Sequence, residues 1–184
     1  MTAPINGAPV LDTTDSPVLA PVAEDAAAPV NCSTAGSTLV SALIDEGGAL
    51  DNFSDVDTDD LPGIAITGLS AQGRLYFSTD GGATWTEATG LSATSALLLH
   101  ADANTRIHFQ PAADFSGTIS DAIGFRAWDR SGGYANGTLG VDPAGVGTLG
   151  PAAAVVGTAD TSGHANGVAV AGPYAYVAHD TIQL

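Results

Sequence analysis

The acidic residues of segment 55–60, which reads Asp-Val-Asp-Thr-Asp-Asp, are the side chains whose type and spacing point most directly to chemistry. Alternate carboxylates on an extended or looped backbone point to the same side, and anions this close repel one another unless a cation neutralises them. Carboxylate oxygens are the ligands that Ca²⁺ prefers. The segment lacks the Gly and Glu positions of an EF-hand loop, and a solvated acidic loop is the alternative. We therefore expect a calcium site of another kind.

Two further acidic positions follow segments with a strand pattern. Glu24 and Asp25 come after the first such segment, and Asp129 directly follows the long segment that ends at Trp128. In a β-sandwich, loops from distant parts of the sequence gather at one end. Our hypothesis is that these carboxylates converge with segment 55–60 and complete a cage around the ion.

Segment 78–85, Ser-Thr-Asp-Gly-Gly-Ala-Thr-Trp, matches the Asp-box pattern Ser-x-Asp-x-Gly-x-Thr-Trp of sialidases and other β-proteins. The pattern predicts a hairpin turn in which Asp80 accepts hydrogen bonds from the backbone and Trp85 packs against the core. Sialidase chemistry needs a cluster of Arg and a Tyr nucleophile, whereas this chain has four Arg, widely separated. We expect a structural turn here and not an active site.

Other patterns for catalysis or for zinc are missing from the sequence. There is no Gly-x-Ser-x-Gly elbow, which a serine hydrolase of that class would need. The chain has four histidines, His100, His108, His164 and His179. They show no paired spacing with Cys or Glu, so we expect them in turns or on the surface, and Cys32 to be an unreactive surface residue. The protein is predicted not to be an enzyme and to have no catalytic residue.

The elements that must position these residues are short β-strands. Apolar and polar residues alternate in segments 63–67, 73–78, 106–110 and 119–128, and turn residues separate them. Strands that recur about every 8–12 residues with turn signals between them are typical of an antiparallel sandwich. The sequence therefore predicts an all-β fold.

Composition divides the chain into four parts. Residues 1–9 are predicted to be a linker and residues 10–135 to be the sandwich. Residues 136–150 are rich in Gly and are expected to form a second linker or a loosely ordered last strand. Residues 151–184 show strand patterns at 155–158 and 167–170, a turn at 172–173 and a strand pattern at 174–178. This part is too short to bury a core alone and is predicted to be an incomplete β-repeat.

The charge balance of the chain argues against binding partners that are themselves negatively charged. The chain carries 20 acidic residues, 17 of them Asp, against four Arg and no Lys, for a formal net charge of −16. Such a surface repels phosphate backbones and anionic membrane faces, so we expect neither nucleic-acid binding nor membrane insertion. The chain shows no signal-peptide pattern near its start and stops within a strand pattern at 181–184, so we expect it to be a fragment of a longer secreted polypeptide.

Five short motifs in a fixed order resemble the cadherin-like repeats of giant bacterial surface adhesins. The motifs are residues 6–10, 24–25, 55–57, 109–117 and 125–129. The resemblance covers residues 6–135 and implies a Greek-key, cadherin- or Ig-like sandwich, export to the cell surface, and calcium near domain junctions. The calcium ligands that it implies are Glu24, Asp55, Asp57 and Asp129, with Asn6 and Asp25 as weaker candidates.

A second resemblance concerns the C-terminal part of the chain. Segment 157–178 contains Gly-Val-Ala-Val followed by Tyr-Ala-Tyr-Val-Ala and looks like the opening of an LVIVD-type repeat. Such repeats occur in tandem on bacterial extracellular proteins. The resemblance covers residues 149–184 and implies the start of a propeller-type module.

The sequence supports two hypotheses about function. The first is a non-catalytic, calcium-stabilised structural or adhesive repeat of an extracellular bacterial surface protein. Its partners would be neighbouring repeats of the same polypeptide and a cell-surface protein or glycan. The second is a carbohydrate-binding accessory module of an extracellular hydrolase, suggested by the Asp-box and by Tyr76, Trp85 and Trp128. These aromatic side chains fill the core under the first hypothesis and face solvent under the second.

Overall fold

The computed structural model describes residues 6–14, 17–45, 50–57, 61–146, 149–160, 165–171 and 174–179. The strands are β1 (Val10–Leu11), β2 (Val22–Ala23), β3 (Thr38–Leu39), β4 (Phe53–Ser54), β5 (Gly63–Leu69), β6 (Gly73–Ser78), β7 (Thr86–Glu87), β8 (Ala96–His100), β9 (Arg106–Pro111), β10 (Gly117–Trp128), β11 (Thr138–Val141), β12 (Leu149–Asp160), β13 (Ala165–Ala171) and β14 (Tyr174–His179). Short 3-10 turns span Val40–Ala42, Ser131–Gly133 and Pro143–Gly145. In this described part of the chain, no helix is long and apolar enough to cross a membrane.

Two main sheets pack into a sandwich. The six-stranded sheet has the order β11-β8-β5-β10-β12-β2, and the four-stranded sheet has the order β3-β9-β6-β7. Their pairs are antiparallel except for β12 with β2, which is parallel. The connection from β5 to β6 crosses between the sheets, and so do those from β7 to β8 and from β9 to β10. The predicted all-β, antiparallel sandwich is confirmed.

Alternation of side chains along the strands explains where the core lies. On β5, Ile64 and Ile66 point between the sheets, whereas Ala65 between them points to the opposite face. On β8, Leu97 and Leu99 do the same on either side of Leu98. The four-stranded sheet contributes Leu75, Phe77, Ile107 and Phe109 to the same core. The period-two pattern that predicted these strands is therefore also the pattern that builds the core.

A second, smaller core lies on the other face of the six-stranded sheet. Trp128 at the end of β10 is fully buried there against Ala65 and Leu98. The segment after β10 folds back over this face, and Val141 and Val146 complete the cluster. This segment is thereby packed against the sheet and not left as a free linker.

The C-terminal boundary of the sandwich differs from the sequence-based division at residue 135. β11 lies within the expected linker of residues 136–150, yet it pairs with β8 at the sheet edge. β12 lies mostly in the expected separate repeat, yet it pairs with β10 along nearly its whole length. Val155 of β12 is fully buried in the main core. Among the described strands, two pairs lie outside the two main sheets, β1 with β4 and β13 with β14. The predicted turn at 172–173 falls outside the described residues.

Candidate functional site

Three of the predicted carboxylates gather at one end of the sandwich. Asp129 directly follows β10, and Asp55 and Asp57 follow β4. β4 pairs with β1, which brings residues 6–9 alongside the same end. We call the group formed by Asn6, Gly7, Asp55, Asp57 and Asp129 the acidic pole.

Hydrogen bonds connect the members of the acidic pole through residues 6 and 7. Asn6 Nδ2 donates to Asp129 Oδ2 over 2.7 Å, and the Gly7 amide donates to Asp57 Oδ2 over 2.7 Å. The Asp57 amide in turn donates to Asp55 Oδ1 over 3.0 Å. The N-terminal segment therefore runs between Asp129 and the two carboxylates of the 55–57 loop.

Gly7 lies very close to the acidic loop. A Cβ atom at position 7 would lie 2.7 Å from Val56 Cγ1 and 3.3 Å from Asp57 Oδ2. A contact of 2.7 Å is shorter than real Cβ atoms show, so a larger residue would require the exposed Val56 side chain to shift. The glycine thus allows the backbone to lie directly on the acidic loop.

One oxygen of the acidic pole lacks any partner. Asp55 Oδ2 is buried and, among the described residues, has no hydrogen-bond partner. An unpaired buried carboxylate oxygen is costly because it has lost its water without gaining a donor. Hard cations such as Ca²⁺ satisfy oxygens of this kind, so the donor set fits that ion.

The side chains are not arranged as a closed metal cage. In the described ranges, no group of three or more His, Cys, Asp or Glu side chains is positioned to hold a metal ion. The reason is visible in the geometry, because Asn6 and Gly7 lie between Asp129 and Asp57. Direct ligation by all three carboxylates would therefore need these side chains to move closer together.

Asp129 is the most deeply placed carboxylate of the acidic pole. Its side chain is only 3% exposed, and its Oδ1 accepts a hydrogen bond from the Ser131 amide over 2.8 Å. The indole nitrogen of the neighbouring Trp128 donates to the Ser131 carbonyl over 3.1 Å. The turn after β10 is thus fixed from both sides, and it holds the Asp129 carboxylate in place.

A polar network beside the acidic pole fixes the loop between β8 and β9. Asp102 Oδ1 accepts from the amides of Asn104 and Thr105 and from the Thr105 hydroxyl. Burial raises the pKa of Asp102, but these hydrogen bonds outweigh burial and leave the pKa below its usual value. Asn136 donates to the Thr105 hydroxyl over 2.7 Å and thereby ties the segment after β10 to this loop. Sequence reasoning missed this network, because its members are separated along the chain.

Glu24 lies at the opposite end of the sandwich. It follows β2, which pairs with the end of β12 that lies beside Gly117, the first residue of β10. Asp129 follows the other end of β10, a strand of 12 residues, so about 35–40 Å separate the two ends. Asp25, next to Glu24, accepts a hydrogen bond from the Asp114 amide over 2.8 Å at the same distant end. The structure does not bring Glu24 or Asp25 to the acidic pole.

The segment that matches the Asp-box pattern forms a compact turn. Both oxygens of Asp80 are occupied, because Oδ1 accepts from the Ser78 hydroxyl and the Thr84 amide and Oδ2 accepts from the Thr84 hydroxyl. These hydrogen bonds, first among them that of the Thr84 side chain, lower the pKa of Asp80 to about 2. Gly81 and Gly82 both adopt positive φ. Every role found here for Asp80 is structural.

The aromatic side chains proposed for sugar binding are packed in the structure. Trp128 is fully buried, and the indole nitrogen of the half-buried Trp85 donates to the Ser33 carbonyl over 3.0 Å. The Tyr76 hydroxyl donates to Gln110 Oε1 over 3.3 Å. The three aromatic residues do not form a common exposed platform.

The prediction that the histidines lie in turns or on the surface is wrong for His108. The structure confirms it for no other histidine that it describes. His108 is only 4% exposed, and His100 is half-buried beside Trp128 with ring centroids 5.7 Å apart. His164 lies outside the described residues, and so does the side chain of His179. Cys32 is a free and exposed cysteine, as predicted.

The fold and the site together define an all-β sandwich with an acidic group of side chains at one end. No protein-family model matches the chain, and neither a curated protein nor a solved structure matches it significantly. The function must therefore be argued from the site itself.

Proposed function

We propose that the chain is a calcium-stabilised structural or adhesive repeat of an extracellular bacterial surface protein, without catalytic activity. Asp55, Asp57 and Asp129 would supply carboxylate oxygens to the ion, and Asn6 an amide oxygen. Bound calcium would neutralise the acidic pole and tie the N-terminal segment to the sandwich. Neighbouring repeats of the same polypeptide, together with a cell-surface protein or glycan, are the proposed partners.

The observation that carries this proposal is the buried Oδ2 of Asp55, which has no hydrogen-bond partner among the described residues. It lies in a group where Asn6 and Gly7 already connect Asp129 to the 55–57 loop. A cation would satisfy this oxygen and reduce the repulsion between carboxylates in a chain of net charge −16. Since the ion would bind next to residues that precede β1, it would also stiffen the junction to whatever segment comes before.

Thermal unfolding in calcium and in a chelator tests the proposal. An ion that binds only the folded state at a hundredfold excess over its dissociation constant stabilises that state by about 2.7 kcal/mol. We expect the Tm of the whole chain to rise by several degrees in CaCl₂ relative to EGTA. We expect Asp55→Asn to remove most of the rise, because it replaces a carboxylate by a neutral amide of the same shape.

Two further results would count against the proposal. An equal Tm in calcium and in EGTA would contradict calcium stabilisation. A rise that Asp55→Asn leaves intact would place the calcium elsewhere. Magnesium serves as the control ion, because it keeps its water and demands a tighter octahedral geometry.

The hairpin of β13 and β14 is proposed to open the next module of the same protein. Its two strands pair with each other and join neither main sheet. An isolated two-stranded hairpin is at best marginally stable in water. Following repeats would therefore have to cover it, as expected of an LVIVD-type array.

A further inference from the structure

A segment of the chain covers the outer face of the four-stranded sheet. Residues 26–36, which we call the strap, connect β2 to β3 and lie over β6, β9 and the Asp-box turn. The hydrogen bonds that fasten the strap are Gln110 Nε2 to the Ala26 carbonyl (2.8 Å), the Trp85 amide to Asn31 Oδ1 (3.1 Å), the Cys32 amide to the Ala83 carbonyl (3.2 Å) and Trp85 Nε1 to the Ser33 carbonyl (3.0 Å). The strap is therefore held at its first residue and across residues 31–33.

His108 lies beneath the strap. Its neighbours on β9, Ile107 and Phe109, point into the main core, so the imidazole points to the outer face. Its ring lies edge-on to Tyr76 and Trp85, with centroids 6.5 Å and 6.2 Å away. A cavity of about 300 Å³, lined mostly by alanine and proline of the strap and by β2, adjoins the ring. The imidazole is thus enclosed in largely apolar surroundings.

Both ring nitrogens of His108 are buried, and among the described residues neither has a hydrogen-bond partner. Burial lowers the pKa of His108 and outweighs the backbone groups of Gly36 and Ala35 in the strap, which act to raise it. Burying a poorly paired charge is far more costly than burying a neutral group. The closed strap therefore favours the neutral ring.

The charged groups around His108 do not offset this cost. On the same face of β9, Arg106 is two residues away, and a cation there disfavours a second positive charge. The Arg106 guanidinium is directed to the Ser37 hydroxyl at 3.4 Å. The other titratable groups of the elements packed around the ring are Tyr76 and Arg74 on β6, Glu87 on β7, Asp80 in the Asp-box turn, Cys32 in the strap, and Glu24 and Asp25 after β2. The carboxylates of Glu87 and Asp80 are engaged with Arg74 and Thr84.

We propose that the strap is an acid-sensitive cover, which opens when His108 takes up a proton and exposes the sheet face that carries Tyr76 and Trp85. In the open form, water reaches the imidazolium and solvates its charge. The four strap hydrogen bonds are exchanged for bonds to water, so the open form is reached by breaking only this local set of contacts.

The direction of the pH dependence follows from the burial of His108. Burial lowers the pKa of His108 from its usual 6.5 in the closed form. Because its pKa is lowered in the closed form, the neutral His108 stabilises the closed form fully above pH 6.5. This stabilisation is lost as the pH falls below 6.5 toward the lowered pKa of the closed form. The ratio of open to closed strap then rises about tenfold per pH unit.

Hydrogen exchange of the full chain between pH 7.5 and 5, in saturating calcium, tests the proposal. After correction for intrinsic exchange rates, protection of the Cys32 and Trp85 amides should fall about tenfold per pH unit below 6.5. Amides of β5 and β10 should not follow this trend. The variant His108→Gln should lose the pH dependence. The matched control His100→Gln changes a half-buried histidine that does not lie beneath the strap, and it should keep the pH dependence.

A flat pH profile in the unmodified protein would overturn the proposal, and so would an unchanged profile in His108→Gln. If His108→Gln fails to fold, NMR of the unmodified protein decides. The His108 ring proton and the Trp85 indole N–H should then titrate with the same midpoint. A His108 that stays neutral to pH 5, or one that titrates while Trp85 does not respond, would contradict an opening strap.

Discussion

Two aspartate-bearing loops of this sandwich place their carboxylates in opposite situations. In the Asp-box turn, both oxygens of Asp80 are filled by donors from Ser78 and Thr84. At the acidic pole, Asp55 accepts one backbone hydrogen bond on Oδ1, while its buried Oδ2 lacks any partner within the described residues. The Asp-box turn satisfies both oxygens of its own carboxylate. The loop at the acidic pole leaves one carboxylate oxygen without a partner among the described residues.

The difference shows why the number of acidic residues is a poor guide to function. Asp80 lies in a motif with a well-known pattern, and its carboxylate organises its own turn. Asp55 and Asp57 lie in a less specific run. Asp57 accepts a hydrogen bond from the amide of the distant Gly7, and Asp55 keeps a buried oxygen that has no partner among the described residues. A buried carboxylate oxygen without a partner is the better candidate for a cation ligand.

The largest expected effect comes from Asp129→Ala at the acidic pole. The change removes hydrogen bonds from Ser131 and Asn6 to a charged acceptor that is only 3% exposed. Each such bond is worth about 1.5–3 kcal/mol, so we expect a loss of about 3 kcal/mol or more in the free energy of unfolding. Chemical denaturation in EGTA measures it. In calcium the loss should be larger still, and equal losses in both buffers would remove Asp129 from the proposed ligands.

A smaller effect is expected for Asp80→Ala. The variant should lower the Tm by the same amount in calcium and in EGTA, because the turn needs the carboxylate but no ion. The pKa of Asp80 is lowered from 3.8 to about 2, so the turn has its full stability above pH 3.8 and loses it progressively as the pH falls from 3.8 through 2. Circular dichroism melts should therefore show a smaller difference between variant and parent at pH 3 than at pH 7. If the drop in Tm of Asp80→Ala depended on calcium, the contrast between the Asp-box turn and the acidic pole would be contradicted.

The smallest effect is expected for Glu24→Gln. Glu24 is half-buried at the end of the sandwich opposite the acidic pole, so the calcium-induced rise in Tm should equal that of the parent. Titration calorimetry with CaCl₂ would give the same affinity for both proteins. A weaker affinity in the variant would restore Glu24 as a ligand and would require a different arrangement of the ends of the sandwich.

Much of the sandwich could be predicted from local patterns. Alternation over 63–67 and 106–110 corresponds to β5 and β9, because a half-buried strand needs an apolar residue at every second position. β12 carried only a partial signal, because the sequence predicts a strand at 155–158 alone. Its other Ala and Gly residues resemble a linker in composition, and the strand extends over Leu149–Asp160 because its backbone fits between β10 and β2.

The sequence by itself determined the strands, the Asp-box turn and the acidic character of the 55–57 loop, because these depend on residues that are neighbours along the chain. The tertiary structure alone decided that Asp129 meets this loop while Glu24 does not. It also decided that His108 is buried beneath the strap. Which loops share an end of a sandwich, and which residues a crossing segment covers, follow from the order in which strands pair, and strand pairing joins residues that are distant in the sequence.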